Sequence, residues 1–329
     1  MRRYSAVARA ANSAVVVCSL TGPAGLFTGC SPAKDAPDDG ANTPGSSLAS
    51  ALELRLVAEK KLSKLLPGDE LNHFEASGIA TSNGQLFVAL DDATKLGIVE
   101  TSLDAGKLGP GDVVNSQYEA VTATDDGRLF VMVESSSDTD TRAQVVELDA
   151  SGAFVSQAYA DVTFVHPNKG FEGTAWLRVA NAEYLLGLCE NNACKDDDTT
   201  PGEGRLKLLS FDGNAWSTRA TIRLPEAVAF LDYSDLGIFQ TAPDTYTVAI
   251  VSHKSAALWL GTLNARSLAF SGSGTFYGFP SNPDGELRYC SLEGVSFLGP
   301  RVLAFASDRS DGSANCDDES ESVHLFQLP

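Results

Sequence analysis

The chain has 329 residues, 43 acidic against 24 basic, and a formal net charge of −19 at pH 7. A protein of this charge repels nucleic acid and anionic lipid surfaces, so we exclude nucleic acid as a partner. After residue 30 no apolar run is long enough to span a bilayer.

The first thirty residues have the pattern of a bacterial export signal. Three arginines precede a short apolar run at residues 14–20, and small residues follow. The sequence Phe27-Thr28-Gly29-Cys30 resembles a lipobox, in which the cysteine is lipidated and becomes the new N-terminus. We predict a lipoprotein signal peptide over residues 1–29 and lipidation of Cys30, with an ordinary signal peptide cleaved nearby as the alternative.

The residues after Cys30 divide into two parts. Residues 30–49 are rich in Pro, Gly, Asp and Ser, which is typical of a flexible tether. Residues 50–329 are predicted to form one folded domain. The protein would then lie in the cell envelope, on the periplasmic or extracellular face of a membrane, held by its lipid anchor alone.

Five short strands in this domain begin in the same way. Each opens at a polar anchor, and the residues two and four positions later are small or apolar. This period-two alternation predicts β-strands that start at a fixed polar position. The anchors are Glu75, Glu119, Glu172, Ser234 and Glu293.

Further strands follow each anchor strand. Apolar runs that fit strands buried on both faces come first, at 85–90, 128–133, 184–188, 246–251 and 302–306. Third strands are predicted at 96–100, 144–148, 206–211, 257–263 and 323–328. Weaker, more polar fourth strands are predicted at 156–160, 216–222 and 268–276. Only residues 62–66 have a short helical pattern.

A repeated unit of four antiparallel strands is typical of a β-propeller blade. We predict an all-β fold, a single propeller of five four-stranded blades, with six blades as the alternative. The last copy ends after its third strand. We expect residues 52–60 to supply the missing outer strand, because this leaves no open sheet edge.

In a propeller the first strands line a central channel, so the five anchors should form a ring at one of its mouths. Carboxylates this close repel one another by roughly 4 kcal/mol per pair at ~4 Å, unless some are protonated or a cation is bound. Oxygen ligands of this kind favour Ca²⁺ over Zn²⁺. We predict that Glu75, Glu119, Glu172, Ser234 and Glu293 bind Ca²⁺, with structural bonds to neighbouring blades as the alternative.

The loops between second and third strands should open at the same mouth. They contain acids beside bases, a combination that could hold a phosphate or carboxylate. We expect substrate contacts there, with His253 as the candidate general acid or base. The candidate catalytic residues are Asp91, Asp92, His253, Lys254 and Arg309.

Four cysteines follow Cys30, and an even number in an exported protein suggests two disulfides. The short spacing of Cys189 and Cys194 favours a local bridge, which leaves Cys290 with Cys316. A zinc site is the rival interpretation, but no histidine lies near either pair.

The ring resembles that of the calcium-activated nucleotidases (apyrase family), five-bladed propellers in which a Glu or Ser from each blade holds one calcium. The run from Leu90 to Thr94 also looks like that family's acidic loop after the second strand. More broadly, Glu172-Gly173 is similar to the strand openings of phytase-like esterases and the regucalcin and gluconolactonase group. The resemblance implies calcium and hydrolysis of a nucleotide, phosphoester or lactone.

Two hypotheses follow. In the first, the protein is a calcium-dependent hydrolase of a small anionic substrate. In the second, it is a non-enzymatic surface propeller with structural calcium, whose loop face binds a small molecule or a protein. We expect a monomer in either case.

Overall fold

The computed structural model describes residues 51–66, 71, 73–91, 93–110, 117–134, 140–165, 169–189, 194, 204–309 and 319–329. The predicted signal peptide, Cys30 and the predicted tether lie outside the described residues. Regular structure in the described part is almost entirely β-strand, which confirms the predicted all-β class. None of the helices in this part is long and apolar enough to cross a membrane.

The described chain begins with three short elements and continues as consecutive antiparallel strands. The three are β1 (Leu52–Glu53), β2 (Arg55–Lys61) and α1 (Leu62–Leu65). The next strands are β3 (Ala76–Ser82), β4 (Gln85–Leu90), β5 (Gly97–Glu100) and β6 (Gly106–Leu108). They are followed by β7 (Tyr118–Ala123), β8 (Leu129–Val133), β9 (Arg142–Leu148) and β10 (Phe154–Thr163).

The second half of the chain repeats this order. It contains β11 (Phe171–Val179), β12 (Ala182–Cys189), β13 (Arg205–Phe211) and β14 (Trp216–Arg223). After these come β15 (Asp235–Ala242), β16 (Thr245–Ser252), β17 (Ala257–Asn264) and β18 (Ala269–Gly278). The last strands are β19 (Leu292–Gly299), β20 (Val302–Ser307) and β21 (Ser322–Gln327).

Hydrogen bonding groups the described strands into five antiparallel sets, β3–β6, β7–β10, β11–β14, β15–β18, and β19–β21 with β2. The second and third sets are joined by one parallel bridge between Ala160 and Trp216. The innermost strands are in contact in a closed cycle, each with the next and β19 with β3. This arrangement is a β-propeller, as the sequence predicted.

The N-terminal strand closes the last set. Strand β2 pairs antiparallel with β21, and Arg55 lies opposite Gln327. The predicted closure is therefore confirmed, with one addition. Residues Leu52 and Glu53 do not continue along β21 but pair in parallel with β18, the outer strand of the preceding set. The N-terminal segment thus connects the fourth and fifth sets.

Side chains at the closure reinforce it. His324 on β21 is fully buried, and its Nδ1 lies 3.3 Å from Oε2 of Glu59 on β2. The other imidazole nitrogen lies 3.0 Å from Ser307 Oγ on β20. The hydrogen bond with His324 lowers the pKa of Glu59 against the effect of burial. These contacts cross three strands of the set and hold the N-terminal strand in register.

Five apolar clusters fill the interfaces between neighbouring sets. One example is the cluster that contains Trp259 of the fourth set and Leu188 of the third. The other interfaces are filled in the same way, so both faces of most strands are covered. This double burial explains why the second strands are apolar throughout.

The inner strands approach one another very closely at the axis. A Cβ on Gly173 would lie 2.6 Å from the backbone nitrogen of Leu236, and one on Gly78 would lie 2.9 Å from the Cα of Ala120. No larger residue fits these positions without moving the neighbouring strand. Small residues at the axis are therefore a requirement of the closed ring.

Asp235 is the exception at the axis. Its side chain is fully buried, and its oxygens accept hydrogen bonds from the backbone amides of Leu236, at 2.7 Å, and Val295, at 2.8 Å. The amides of Ile79 and Thr174 bond to it as well. Burial raises the pKa of Asp235 well above its usual range, while these amide bonds lower it. One carboxyl group therefore connects four of the five inner strands.

We expect Asp235→Asn to lower the free energy of unfolding by about 2–4 kcal/mol, because the amide NH₂ would face backbone N–H donors and leave them unpaired. Chemical denaturation of the variant and of the wild type measures the difference. Asp104→Asn, the same change at an exposed residue, should leave stability unchanged. An Asp235→Asn protein as stable as the wild type would contradict this role.

Candidate metal centre

One mouth of the channel contains a cavity of about 200 Å³ that all five predicted anchors line. The anchors lie at or just before the first residues of the inner strands. Because these strands converge on the axis, residues up to 218 positions apart in the sequence meet in this small space. The anchors are Glu75, Glu119, Glu172, Ser234 and Glu293.

Strand register explains why three glutamates point into the channel. Glu119, Glu172 and Glu293 each lie at an irregularity where the pairing of the first and second strands shifts by one residue. Such a bulge leaves its residue out of the ladder and redirects its side chain. The bulges therefore turn these carboxylates away from the apolar interfaces and toward the axis.

The same register corrects the anchor of the first set. There the irregularity falls between Ala76 and Gly78, so Ser77 occupies the place that glutamates hold in the second, third and fifth sets. The anchor that the sequence analysis predicted, Glu75, lies two residues before this bulge. Both side chains line the cavity. Ser77 Oγ donates a hydrogen bond to the carbonyl of Tyr118 on the neighbouring inner strand.

A second layer of carboxylates follows the second strands. Asp91 and Asp308 line the cavity, and their amides donate to the carbonyls of Glu75 and Ser291, each at 2.8 Å. Glu134 occupies the corresponding place after β8. A carboxylate oxygen of Glu134 lies within 4.8 Å of oxygens of Glu119 and Glu172. The cavity thus offers several oxygen ligands from different sets.

The clustered charge changes how these acids ionise. Burial raises the pKa of Glu119 well above its usual range, and the charges of Glu172 and Glu134 raise it further. Burial also raises the pKa of Asp308 to about 7, with a contribution from Glu293. A bound divalent cation would offset the repulsion among these carboxylates, because each of them is attracted to the ion. The residues present therefore fit a hard cation such as Ca²⁺ or Mg²⁺.

His253 brings a positive charge to the rim of the cavity. Its Nδ1 lies 2.7 Å from Asp232 and 2.8 Å from Glu293. Burial lowers its pKa, but the hydrogen bonds to Asp232 and Glu293 outweigh this and raise it to about 10. The imidazole is therefore protonated at neutral pH, and a third of its side chain remains exposed to solvent.

The other predicted catalytic residues are distributed around the same mouth. Lys254 lines the cavity, and its backbone amide donates to Asp232 at 3.2 Å. Arg309 lies at the edge, with a guanidinium nitrogen 4.0 Å from Glu75. Asp91 lines the cavity, as described above. Asp92 lies outside the described residues.

The sequence analysis did not single out Asp232, Glu134 and Asp308. The sequence contains a repeat that could have identified Glu134 and Asp308. Asp91, Glu134 and Asp308 are each the first residue after a second strand, so a carboxylate recurs there in three of the five sets. Asp232 has no counterpart in the repeats. It lies in the cavity as the partner of His253, which follows β16, and a contact of this kind does not show in the sequence.

The predicted local disulfide between Cys189 and Cys194 is confirmed. Cys189 ends β12 and is fully buried. The second predicted bridge joins Cys290 to Cys316, and Cys316 lies outside the described residues.

A scan against family models finds no match, and neither does a search of curated proteins. Among solved structures, the PQQ-bound aldose sugar dehydrogenase from Streptomyces coelicolor aligns with a TM-score of 0.45 at 14% identity, over 82% of this chain and 98% of that one. The Myxococcus xanthus glutaminyl cyclase aligns with a TM-score of 0.50 at 10% identity, over 84% and 98% of the two chains. At this identity the match with the glutaminyl cyclase supports the fold alone.

We expect the metal-free protein to lose stability as the pH rises from about 4 to above 7. A carboxyl group with a raised pKa in the folded state keeps its proton there after the unfolded state has released it, so the folded state becomes less favourable as pH rises. Glu119→Gln should raise the free energy of unfolding at neutral pH by about 1–2 kcal/mol and flatten this dependence. Denaturation in chelator across this pH range measures both effects.

Glu226→Gln, at an exposed position, provides the matched control and should change neither quantity. A Glu119→Gln protein that is less stable than the wild type in chelator would show that the carboxylate has a structural partner.

Proposed function

We propose that the cavity binds one Ca²⁺ ion. The observation that carries this proposal is the convergence of Glu119, Glu172 and Glu134 oxygens within 4.8 Å. Ser234, Glu293 and either Ser77 or Glu75 would complete an all-oxygen ligand set from the five sets. Ca²⁺ accepts six to eight oxygen ligands in flexible geometry, which suits a ring of this kind better than the stricter octahedron of Mg²⁺.

We further propose that the protein is a calcium-dependent hydrolase of a small anionic substrate, a phosphoester or nucleotide. The resemblance of the ring to the calcium-activated nucleotidases supports this class. That family has a basic pair after the second strand of the third blade, where this chain has Cys189-Glu190-Asn191. Lys254 and Arg309, rather than that loop, would therefore bind the negatively charged group of the substrate.

The residues of the chain have distinct roles in this proposal. Bound Ca²⁺ would supply Lewis-acid polarisation of a substrate oxygen. Lys254 and Arg309 bind the anionic group of the substrate from the rim. Asp232 and Glu293 hold Nδ1–H of the His253 imidazolium, so the proton on its other nitrogen, Nε2, can go to the leaving oxygen. Asp91 lines the cavity and can orient the attacking water by accepting a hydrogen bond.

Anchoring through Cys30 in the bacterial cell envelope remains part of the proposal, resting on the sequence pattern of residues 1–30. An exterior position suits calcium binding, since free calcium is abundant there and a site of modest affinity would be filled.

We expect Ca²⁺ to raise the melting temperature of the protein and chelator to lower it. A ligand at a hundred times its dissociation constant stabilises the folded state by about 2.7 kcal/mol. Glu119→Gln should lose most of this shift, although the same change stabilises the chelated protein. Glu226→Gln should keep the full shift. If Ca²⁺ raises the melting temperature of the wild type and of Glu119→Gln equally, the ion does not bind in this cavity.

For catalysis, we expect Ca²⁺-dependent turnover of at least one among p-nitrophenyl phosphate, nucleoside diphosphates and a simple lactone. His253→Ala should lower kcat by about 100-fold or more, since general acid catalysis contributes that much. Lys254→Ala should act mainly by raising KM. His73→Ala, a histidine outside the cavity, is the matched control.

Turnover that survives His253→Ala would make the assignment of the proton donor wrong. Calcium binding without turnover of any of these substrates would favour the second function, a surface propeller with structural calcium whose loop face binds a small anionic molecule or a protein.

A further inference from the structure

A second cavity lies between the second and third sets, away from the carboxylate cavity. Its volume is about 370 Å³, which falls in the range of small-molecule sites. Strands β8, β9 and β10 of the second set and β11 to β14 of the third contribute to its lining. Among the described residues, none lines both this cavity and the carboxylate cavity. It is therefore a separate site.

Two contacts join the sets beside this cavity. Arg128 of the second set donates to the two carboxylate oxygens of Glu183 of the third, at 3.0 and 2.9 Å. Trp216 on β14 lies opposite Ala160 on β10, at the parallel bridge between the sets. Arg128, Glu183 and Trp216 all line the cavity. Contacts between the sets thus fix its walls, so the cavity exists before any ligand binds.

Aromatic rings form part of the lining. The ring of Trp216 packs nearly perpendicular to Phe130 of the second set, with centroids 5.6 Å apart, and lies 5.2 Å from the ring of Phe211. Phe130 and Trp216 belong to the buried apolar cluster between the sets. Phe211 lies at the end of β13 and is 47% exposed. The cluster therefore forms the floor of the cavity, and Phe211 presents an aromatic ring that a ligand can reach.

The ion pairs at this cavity leave an excess of negative charge. Arg128 and Arg178 pair there with four acids, two of which line the cavity. The four acids are Asp125, Asp126, Glu147 and Glu183. Two arginines do not balance four carboxylates, and the net charge of −19 on the whole chain acts in the same direction. The charges therefore favour a cationic ligand and disfavour an anionic one.

Glu147 is the carboxylate best placed to contact such a ligand. It lies opposite Ser156 on one neighbouring strand and Phe130 on the other, and all three line the cavity. Its Oε2 accepts a hydrogen bond from Ser156 at 3.0 Å, while Oε1 is 3.9 Å from the guanidinium of Arg128. Each carboxylate oxygen has two lone pairs, so Glu147 can accept a further hydrogen bond from an ammonium group.

We propose that this cavity binds a small organic cation in which an ammonium group is attached to an apolar body. Glu147 binds the ammonium, and the apolar body packs against the rings of Phe211 and Trp216. The same rings attract the cation, because the face of an aromatic ring is electron-rich. This site goes beyond the proposed function and needs neither the calcium ion nor the hydrolase activity.

Calorimetric titration of the full chain with four probes tests the proposal. The cations are phenethylamine and benzyltrimethylammonium, and the comparisons are the neutral 2-phenylethanol and the anionic phenylacetate. Saturating Ca²⁺ is present, so that the probes do not enter the carboxylate cavity. We expect phenethylamine to bind saturably and about five- to tenfold more tightly than 2-phenylethanol, as one partly screened ion pair predicts. Salt should weaken this binding.

Two variants test the assigned residues. Phe211→Leu keeps an apolar side chain but removes the ring, and it should weaken the binding of both cations about two- to fivefold. Glu147→Gln should abolish the preference for phenethylamine over 2-phenylethanol. Phe154→Leu and Glu226→Gln are the matched controls at exposed positions outside the cavity, and both should bind the probes as the wild type does.

Failure of both cations to bind would overturn the proposal. So would equal affinities of the wild type for phenethylamine and 2-phenylethanol, because the site would then be apolar and indifferent to charge. Cation binding that is lost in Glu172→Gln but retained in Glu147→Gln would place the cation in the carboxylate cavity and would also overturn it.

Discussion

The close approach of the inner strands at the axis is the constraint on which the rest of this structure depends. A closed ring of strands leaves room for little more than hydrogen atoms where the backbones meet, so Gly78, Ala120, Gly173 and Gly294 are small. One position carries a larger side chain, Asp235, and its carboxyl group bonds the amides that the glycines leave accessible. At the axis this polar group therefore bonds four of the five inner strands to one another.

This arrangement gives the channel two chemically different halves. On one side of Asp235 the bulges direct carboxylates inward, and the resulting repulsion raises the pKa of Glu119 and Asp308. On the other side the channel is lined by aromatic and neutral polar groups together with two acid–base pairs, Asp125 with Arg178 and Asp244 with Arg266.

The closure of the ring depends on a different kind of contact. Strand β2 comes from the N-terminal part of the chain and completes the C-terminal set. The fifth set is therefore formed by segments from both ends of the described chain. The buried contacts of His324 with Glu59 and Ser307 fix the register of this long-range pair. Glu293 lies on β19, the inner strand of the same set. The position of its carboxylate in the cavity therefore depends on the pairing that closes the propeller.

The sequence by itself determined the class of fold, the order of the strands and most of their bounds, because period-two alternation and apolar second strands are local patterns. It predicted that β2 closes the last set, and that five polar residues meet at one mouth. It did not predict β6, which is only three residues long and has no fully buried side chain.

Only the tertiary structure decided which residue of the first set lies at the bulge. Glu75 and Ser77 both fit the alternation, since they are two residues apart and share a face. Pairing with β4 places the bulge at Ser77, and hydrogen bonding between separate strands is not visible in a local pattern. The contact of His253 with Asp232 and the bonds of Asp235 to strands of other sets were decided in the same way, by the convergence of distant segments on one axis.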